Sequence, residues 1–189
     1  MEPPVLHTPR LIVRAFAEED IEDIYLASQD PDIQRWTTIP VPFLREHAEN
    51  LVREIYPRGW VMNTHRILGS FHRESGALVS TLTMTSTGYR VFEIGYWTSK
   101  TQRGHGYTVE GLDAFVRWIF LCLRAQRIEW QGIVGNPGSF AVAEKVGFRM
   151  EGTVRARVNQ RGTILDADLA GLLPADLGLP LLDDLPEQT

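Results

Sequence analysis

The chain is poor in cysteine, poor in lysine and free of any long apolar run, and each shortage excludes something. Cys122 is the only cysteine among 189 residues, so there is no intrachain disulfide framework, and a reducing compartment fits. The greasiest stretch, Phe115 to Leu123, is interrupted by Arg117 and falls far short of the about 20 residues that span a bilayer. Met1-Glu2-Pro3-Pro4-Val5 has neither the basic start nor the apolar core of a secretory signal. The expectation is a soluble, cytoplasmic protein with no membrane partner. His7, His47, His65 and His72 share no ligand spacing with one another or with Cys122. Neither H-E-x-x-H nor C-x-x-C occurs, so no metal site is expected. Lysine is limited to Lys100 and Lys145 against 17 arginines, a bias that reads as genome composition.

What is present suits one globular domain: 43% hydrophobic residues for a core and 23% charged residues to solvate it. The net charge of -5 argues against non-specific nucleic-acid binding and would not repel a cationic amine. Leu11 to Arg14 alternates like a strand, and Glu18 to Ser28 carries the helical period. A second helix is expected from about Leu44 to Tyr56, stopped by Pro57-Arg58-Gly59, with an aromatic, proline-interrupted loop from Trp36 to Phe43 before it. Ile67 to His72 and Ala77 to Thr85 flank the turn residues Arg73 to Gly76 and predict a hairpin. Val91 to Trp97 is the next strand. From Val109 to Leu123 apolar residues form a one-sided helical stripe, in which Cys122 is expected to be buried. Arg127 to Val134 reads as a strand, Ser139 to Val146 as a short helix ended by Gly147, and Phe148 to Val158 with Thr163 to Leu172 as a terminal hairpin. The domain is expected to span residues 1–173, with a flexible acidic tail at 174–189.

Between the strand ending at Trp97 and the long helix lies Gln102-Arg103-Gly104-His105-Gly106-Tyr107-Thr108. Two near-adjacent glycines before a helix either make a plain turn or aim backbone N–H groups at an anion. Neither G-x-G-x-x-G nor G-x-x-x-x-G-K-[ST] is present, so the loop alone leaves both readings open. About thirty residues further on, Asn136-Pro137-Gly138-Ser139 precedes a helix that runs into Glu144-Lys145-Val146-Gly147-Phe148.

This combination resembles the GNAT superfamily of acyl-CoA N-acyltransferases, and in particular the branch acting on ribosomal-protein N-termini together with its small-molecule relatives. Thr8-Pro9-Arg10-Leu11-Ile12-Val13-Arg14 looks like the family's first strand, and Glu93-Ile94-Gly95-Tyr96-Trp97 like its splayed strand. Arg103 to Thr108 looks like its pyrophosphate loop, Asn136 and Ser139 like its N-x-x-S element, and Glu151-Gly152 with Arg155 like a later strand. Thr108 departs from the usual Ala or Gly, and Val79-Ser80 stands where Val-Gly is usual.

The resemblance implies an α+β fold: a single domain with a mostly antiparallel, twisted mixed sheet, splayed central strands and flanking helices. It implies acetyl-CoA as co-substrate, an amine acceptor (a protein N-terminus or a small molecule) and a possible homodimer. The amides of Arg103, Gly104, His105, Gly106, Tyr107 and Thr108 would hold the pyrophosphate, and Tyr96, Trp97 and Thr98 would offer strand-edge groups to the pantetheine. Asn136 would add a side-chain amide. An amine attacks a thioester only as the free base, and free lysine at pH 7 lies about 3.4 pK units from that form, roughly 4.6 kcal/mol. Glu93 is the candidate base, with a solvated or salt-bridged strand residue as the alternative. Ser139 is the candidate donor to the leaving thiolate, or a helix N-cap. His105 is expected to face solvent, and Asp166 to pair with Arg155 or Arg157. A longer donor such as succinyl-CoA would need a basic pocket, for which Arg35, Arg58 and Arg66 are the available cations. A non-catalytic CoA-binding module is the remaining class.

Overall fold

The structure, a computed structural model, describes residues 1–180. Eight strands form one sheet in the order β1 (Leu6–His7), β2 (Leu11–Arg14), β3 (His65–His72), β4 (Leu78–Gly88), β5 (Val91–Thr98), β6 (Arg127–Ile133), β8 (Thr163–Leu172) and β7 (Arg149–Gln160). All neighbours are antiparallel except β5 and β6. A parallel pair needs a crossover, here the long helix α5 (Tyr107–Leu123).

Register decides which residues share a face. Arg66, Met84, Ile94 and Trp130 stand on one rung, and His65, Thr85, Glu93 and Glu129 on the adjacent one; successive rungs point to opposite faces. The first face carries α5, whose Leu112, Phe115, Val116 and Ile119 are fully buried with Leu68, Leu82 and Ile94. Removing each such side chain from water contributes about 1.5–3 kcal/mol. α6 (Pro137–Val146) joins this core through Ala143 and Val146. The other face receives α1 (Ile21–Ala27) and α3 (Arg45–Asn50): Ile21, Ile24 and Ala48 pack with Phe71, and Ile67 and Trp97 border the cluster.

The fold matches the expected class and departs from the expected elements in four places. The chain does not stop at Pro57-Arg58-Gly59: a π-helical turn at Leu51–Ile55 leads into α4 (Tyr56–Met62), which ends at the left-handed Asn63. Pro57 follows directly on that π-helical turn in backbone that stays helical from Arg45 to Met62, so the widened turn accommodates a proline inside the helix. Gly59 packs so closely on β3 that an added Cβ would lie 1.9 Å from the His65 carbonyl oxygen. A short α2 (Pro31–Trp36) also precedes the aromatic loop, with Asp30 as cap and Pro31 opening the helix. Cys122 is exposed although it follows Phe115 and Ile119 by seven and three positions and so lies near their side of α5; it falls in the last turn of the helix. Finally, Pro174–Leu177 forms a 3-10 turn with Pro174 buried, and Leu177 and Leu179 pack on the core; the rest of the expected tail, 181–189, lies outside the described residues.

Candidate active site

Strands β5 and β6 pair only from Val91 with Arg127 to Ile94 with Trp130. β5 then continues to Thr98 and β6 to Ile133, and the edge Gly95–Thr98 has no partner strand on that side. The two strands therefore part, and the opening runs from the α5 face to the opposite one.

On the α5 face, the Tyr96 hydroxyl donates to the Ser139 carbonyl at 2.6 Å, tying β5 to the start of α6. Burial pushes the Tyr96 phenol well above its ordinary range, so it stays a neutral donor. The helix cap is Asn136, whose Oδ1 accepts from the Ser139 amide at 3.2 Å. Ser139 is thus not the N-cap. Its hydroxyl also lies within reach of the Tyr96 phenol, so the serine side chain and the tyrosine sit together at the start of α6. Trp97 is on the other face and borders the second core cluster, so only its backbone belongs to the open edge. Thr98 and Thr108 share a hydrogen bond of 2.7 Å that joins the end of β5 to the first turn of α5. Ser80, in register with Ser70 and Thr98, is fully buried beneath this helix.

The glycine loop closes this end. Gly104 and Gly106 hold φ of 81° and 75°, conformations that strain residues with a Cβ. Gly106 is the residue before the first turn of α5. The amides of Gly104 and Gly106 make no turn or loop hydrogen bond, while those of Arg103 and His105 take part in the turn that follows Lys100–Gln102. The free amides of Gly104 and Gly106 stand beside the positive end of a 17-residue helix, a setting that favours negative charge. The loop is held from behind. Arg10 donates to the His105 carbonyl at 3.1 Å, lies over the Tyr107 ring at 4.5 Å and pairs with Glu110 at 2.6 Å. Burial pushes the Glu110 carboxyl up, but hydrogen bonds from Thr8 and Arg10 outweigh it and hold the group below the usual range. The His105 ring is exposed and stacks on Tyr107. The Arg103 side chain is spent on structure: it pairs with Asp30 and Asp32 and donates to the Thr98 carbonyl at 3.3 Å.

On the opposite face stands Glu93. Its Oε1 accepts from the Gln131 amide at 2.9 Å, and the Gln131 oxygen accepts from Arg157 at 3.2 Å. Burial raises the Glu93 carboxyl above the usual range; Arg157, the Gln131 hydrogen bond and His65 act against this, and Glu129 acts with it. Arg157 therefore serves Gln131, and Asp166 does not form the expected ion pair. Asp166 instead accepts from the amide of Ala156 at 2.9 Å, within the bulge where Ala156 has a φ of 54°.

A strap covers this side. Ile39 borders the cluster that includes Trp97, and the Trp36 ring lies 3.9 Å from where a Cβ on Gly135 would be. The strap is fixed by the tip of the β7–β8 hairpin: Arg161 donates to the carbonyls of Gln34, Thr37 and Ile39, and Gln160 to those of Arg35 and Thr37, all within 2.8–3.1 Å. Arg161→Ala is expected to raise amide hydrogen exchange over residues 34–39 and leave that of α5 unchanged, as followed by mass spectrometry. Of the three cations considered for a longer acyl donor, Arg35 lies over Trp36 at 4.7 Å, Arg58 is exposed, and Arg66 is buried on the face away from Glu93, bonded to Asn63 at 2.6 Å. Among the described residues no helix is long and apolar enough to cross a membrane, and no group of His, Cys, Asp and Glu could hold a metal ion.

Gln131, Arg157, Arg10, Glu110 and Arg161 were not legible as site residues. Polar positions on alternating strands and an arginine in a hairpin turn look alike in any sheet protein until register brings them together.

A splayed parallel pair, a glycine loop at a helix start and a capped N-x-x-S turn define an acyltransferase fold. Residues 10–149 match the model of the acetyltransferase (GNAT) domain, and the chain belongs to that family. It is an N-acetyltransferase of the family. The uncharacterized N-acetyltransferase YoaA of Bacillus subtilis is 25% identical over 174 residues, covering 90% of this chain and 97% of YoaA. The fold is shared with Mycobacterium smegmatis RimJ in complex with CoA-disulfide, at a TM-score of 0.79 and 20% identity, covering 97% of this chain and 95% of that one. It is shared too with the microcin C7 self-immunity acetyltransferase MccE in complex with acetyl-CoA and AMP, at a TM-score of 0.79 and 16% identity, covering 88% and 93%.

Proposed function

We propose that the chain transfers the acetyl group of acetyl-CoA to a primary amine, by direct attack of the amine on the thioester while both are bound. The observation that carries the donor assignment is the glycine loop at the start of α5, its Gly104 and Gly106 amides without a turn or loop bond, together with the opening beyond Ile94 and Trp130. It fits a pyrophosphate followed by an extended arm. That RimJ holds a CoA species and MccE holds acetyl-CoA supports the same donor here.

In this reading the loop from Arg103 to Thr108 binds the pyrophosphate through its backbone. The open edge at Tyr96, Trp97 and Thr98 and the Asn136 amide hold the arm. The amine approaches from the Glu93 face, under the Trp36–Ile39 strap. Its nitrogen bonds to the thioester carbon, the carbon–sulfur bond breaks, and the ammonium proton passes to Glu93 directly or through water. The Ser139 hydroxyl is the donor available to the departing thiolate. Holding both reactants in one geometry contributes up to about 7–11 kcal/mol, more than either proton transfer.

The test is thiol release from acetyl-CoA and succinyl-CoA with a panel of amines: ribosomal N-terminal peptides, amino acids, polyamines and aminoglycosides. Amine-dependent release from acetyl-CoA is expected. Tight CoA binding by calorimetry with no release for any amine would assign the chain to the non-catalytic class instead.

A further inference from the structure

Gln131 occupies a position that nothing in its residue type explains. It is the first β6 residue beyond the paired rungs that shares the Glu93 face, since pairing ends at Trp130. Its carboxamide reaches back across the parting strands to Glu93 Oε1 at 2.9 Å, while its own oxygen accepts from Arg157 Nε at 3.2 Å. The two contacts fix the amide orientation, because the NH2 group must meet the carboxylate and the oxygen the guanidinium. One carboxylate oxygen of Glu93 is thereby occupied, and Oε2 has no hydrogen-bond partner among the described residues.

We propose that Gln131 is a positioning residue for the acceptor side: anchored by Arg157, it holds Glu93 with one oxygen engaged and the other left to receive the proton of the attacking amine. This rests on Glu93 acting as the base. The charged and titratable groups around that carboxylate are Gln131's neighbour Glu129 on β6, Arg157 on β7 and His65 on β3. Glu129 is itself held by Arg127 at 2.9 Å, and the His65 ring is bonded to Thr85 at 2.8 Å. Against that background Gln131 supplies a neutral donor, which stabilises the carboxylate without neutralising it. A hydrogen bond to a charged group contributes about 1.5–3 kcal/mol, so its loss is felt as roughly a tenfold change or more.

The experiment is kcat/KM for the amine against pH in the wild type, Gln131→Leu, Gln131→Glu and Glu93→Gln, with acetyl-CoA affinity and melting temperature measured alongside. Gln131→Leu is expected to lose about tenfold in kcat/KM at pH 7, with its acid limb displaced to higher pH. Gln131→Glu is expected to displace the limb further, because a second carboxylate then faces the first. Donor affinity should stay unchanged in both. A Gln131→Leu enzyme with the wild-type limb, whether at full rate or uniformly slowed with a lower melting temperature, would overturn the positioning role even if Glu93→Gln is inactive. Full activity with an unmoved limb in Glu93→Gln would overturn the base reading and this inference with it.

Discussion

Glu93→Gln is expected to lower kcat/KM about 100-fold at neutral pH, the low end of what a positioned general base supplies, with acetyl-CoA affinity unchanged. The replacement keeps the shape and removes the proton acceptor. Burial places this carboxyl above the usual glutamate range, which moves it toward the pH at which an amine must be deprotonated. Activity in the wild type therefore falls on the acid side as the carboxylate is protonated, and the variant lacks that limb. The sign of the stability effect is opposite to that of the common salt-bridged carboxylate. With its folded pKa raised, Glu93 penalises folding only where it is charged: the penalty is absent at low pH, grows as pH rises from the ordinary glutamate range, and is complete above the folded pKa. At neutral pH the glutamine variant should melt at the wild-type temperature or above it. Lost turnover with undiminished stability separates loss of the base from loss of the fold. Steady-state rates between pH 5 and 9, with calorimetric melting, read both, and a variant as fast as wild type across that range would remove Glu93 from the mechanism.

Gly106→Val is expected to weaken CoA binding about 30-fold, or roughly 2 kcal/mol, with a small change in melting temperature. Gly106 holds a φ of 75° as the residue before the first turn of α5. A β-branched residue there carries about 1–3 kcal/mol of backbone strain. Space is not the obstacle, since the nearest atom to an added Cβ is Arg10 Nη2 at 3.8 Å. The exposed loop can therefore relieve the strain by moving, and movement takes the amides of Gly104 and Gly106 out of position. The fold survives at the expense of the anion site. Calorimetric titration with CoA measures the effect directly; unchanged affinity would mean that the pyrophosphate does not sit on this loop.

Most of the proposed donor side was readable in the sequence because it depends on backbone. Glycines at 104 and 106, a helix stripe beginning at Val109 and an Asn-x-x-Ser turn prescribe local conformations that tertiary context does not change. The acceptor side depends on register. Glu93 was legible as a residue, but its link to Gln131 exists only because β5 and β6 run parallel and part after Trp130, and Arg157 reaches the same place from the outermost strand. The Arg161 clamp on residues 34–39 joins segments more than 120 positions apart. α2 was overlooked although Asp30-Pro31 is a cap followed by a helix-opening proline, because the aromatics after it drew the segment toward loop. Pro57 misled in the other direction, since the π-helical turn before it lets the helix run on through a proline. Arg103 was expected only for its amide, and Asp30 and Asp32, which claim its guanidinium, carry no signature of their own.

A crystal structure of the protein grown with CoA tests the central claim most directly. The account predicts the pyrophosphate within hydrogen-bonding distance of the amides of Gly104 and Gly106, and the thiol end between β5 and β6 beyond Ile94 and Trp130, with Ser139 on one face and Glu93 on the other. CoA bound anywhere else, or bound here with β5 and β6 closed along Gly95–Thr98, would contradict it.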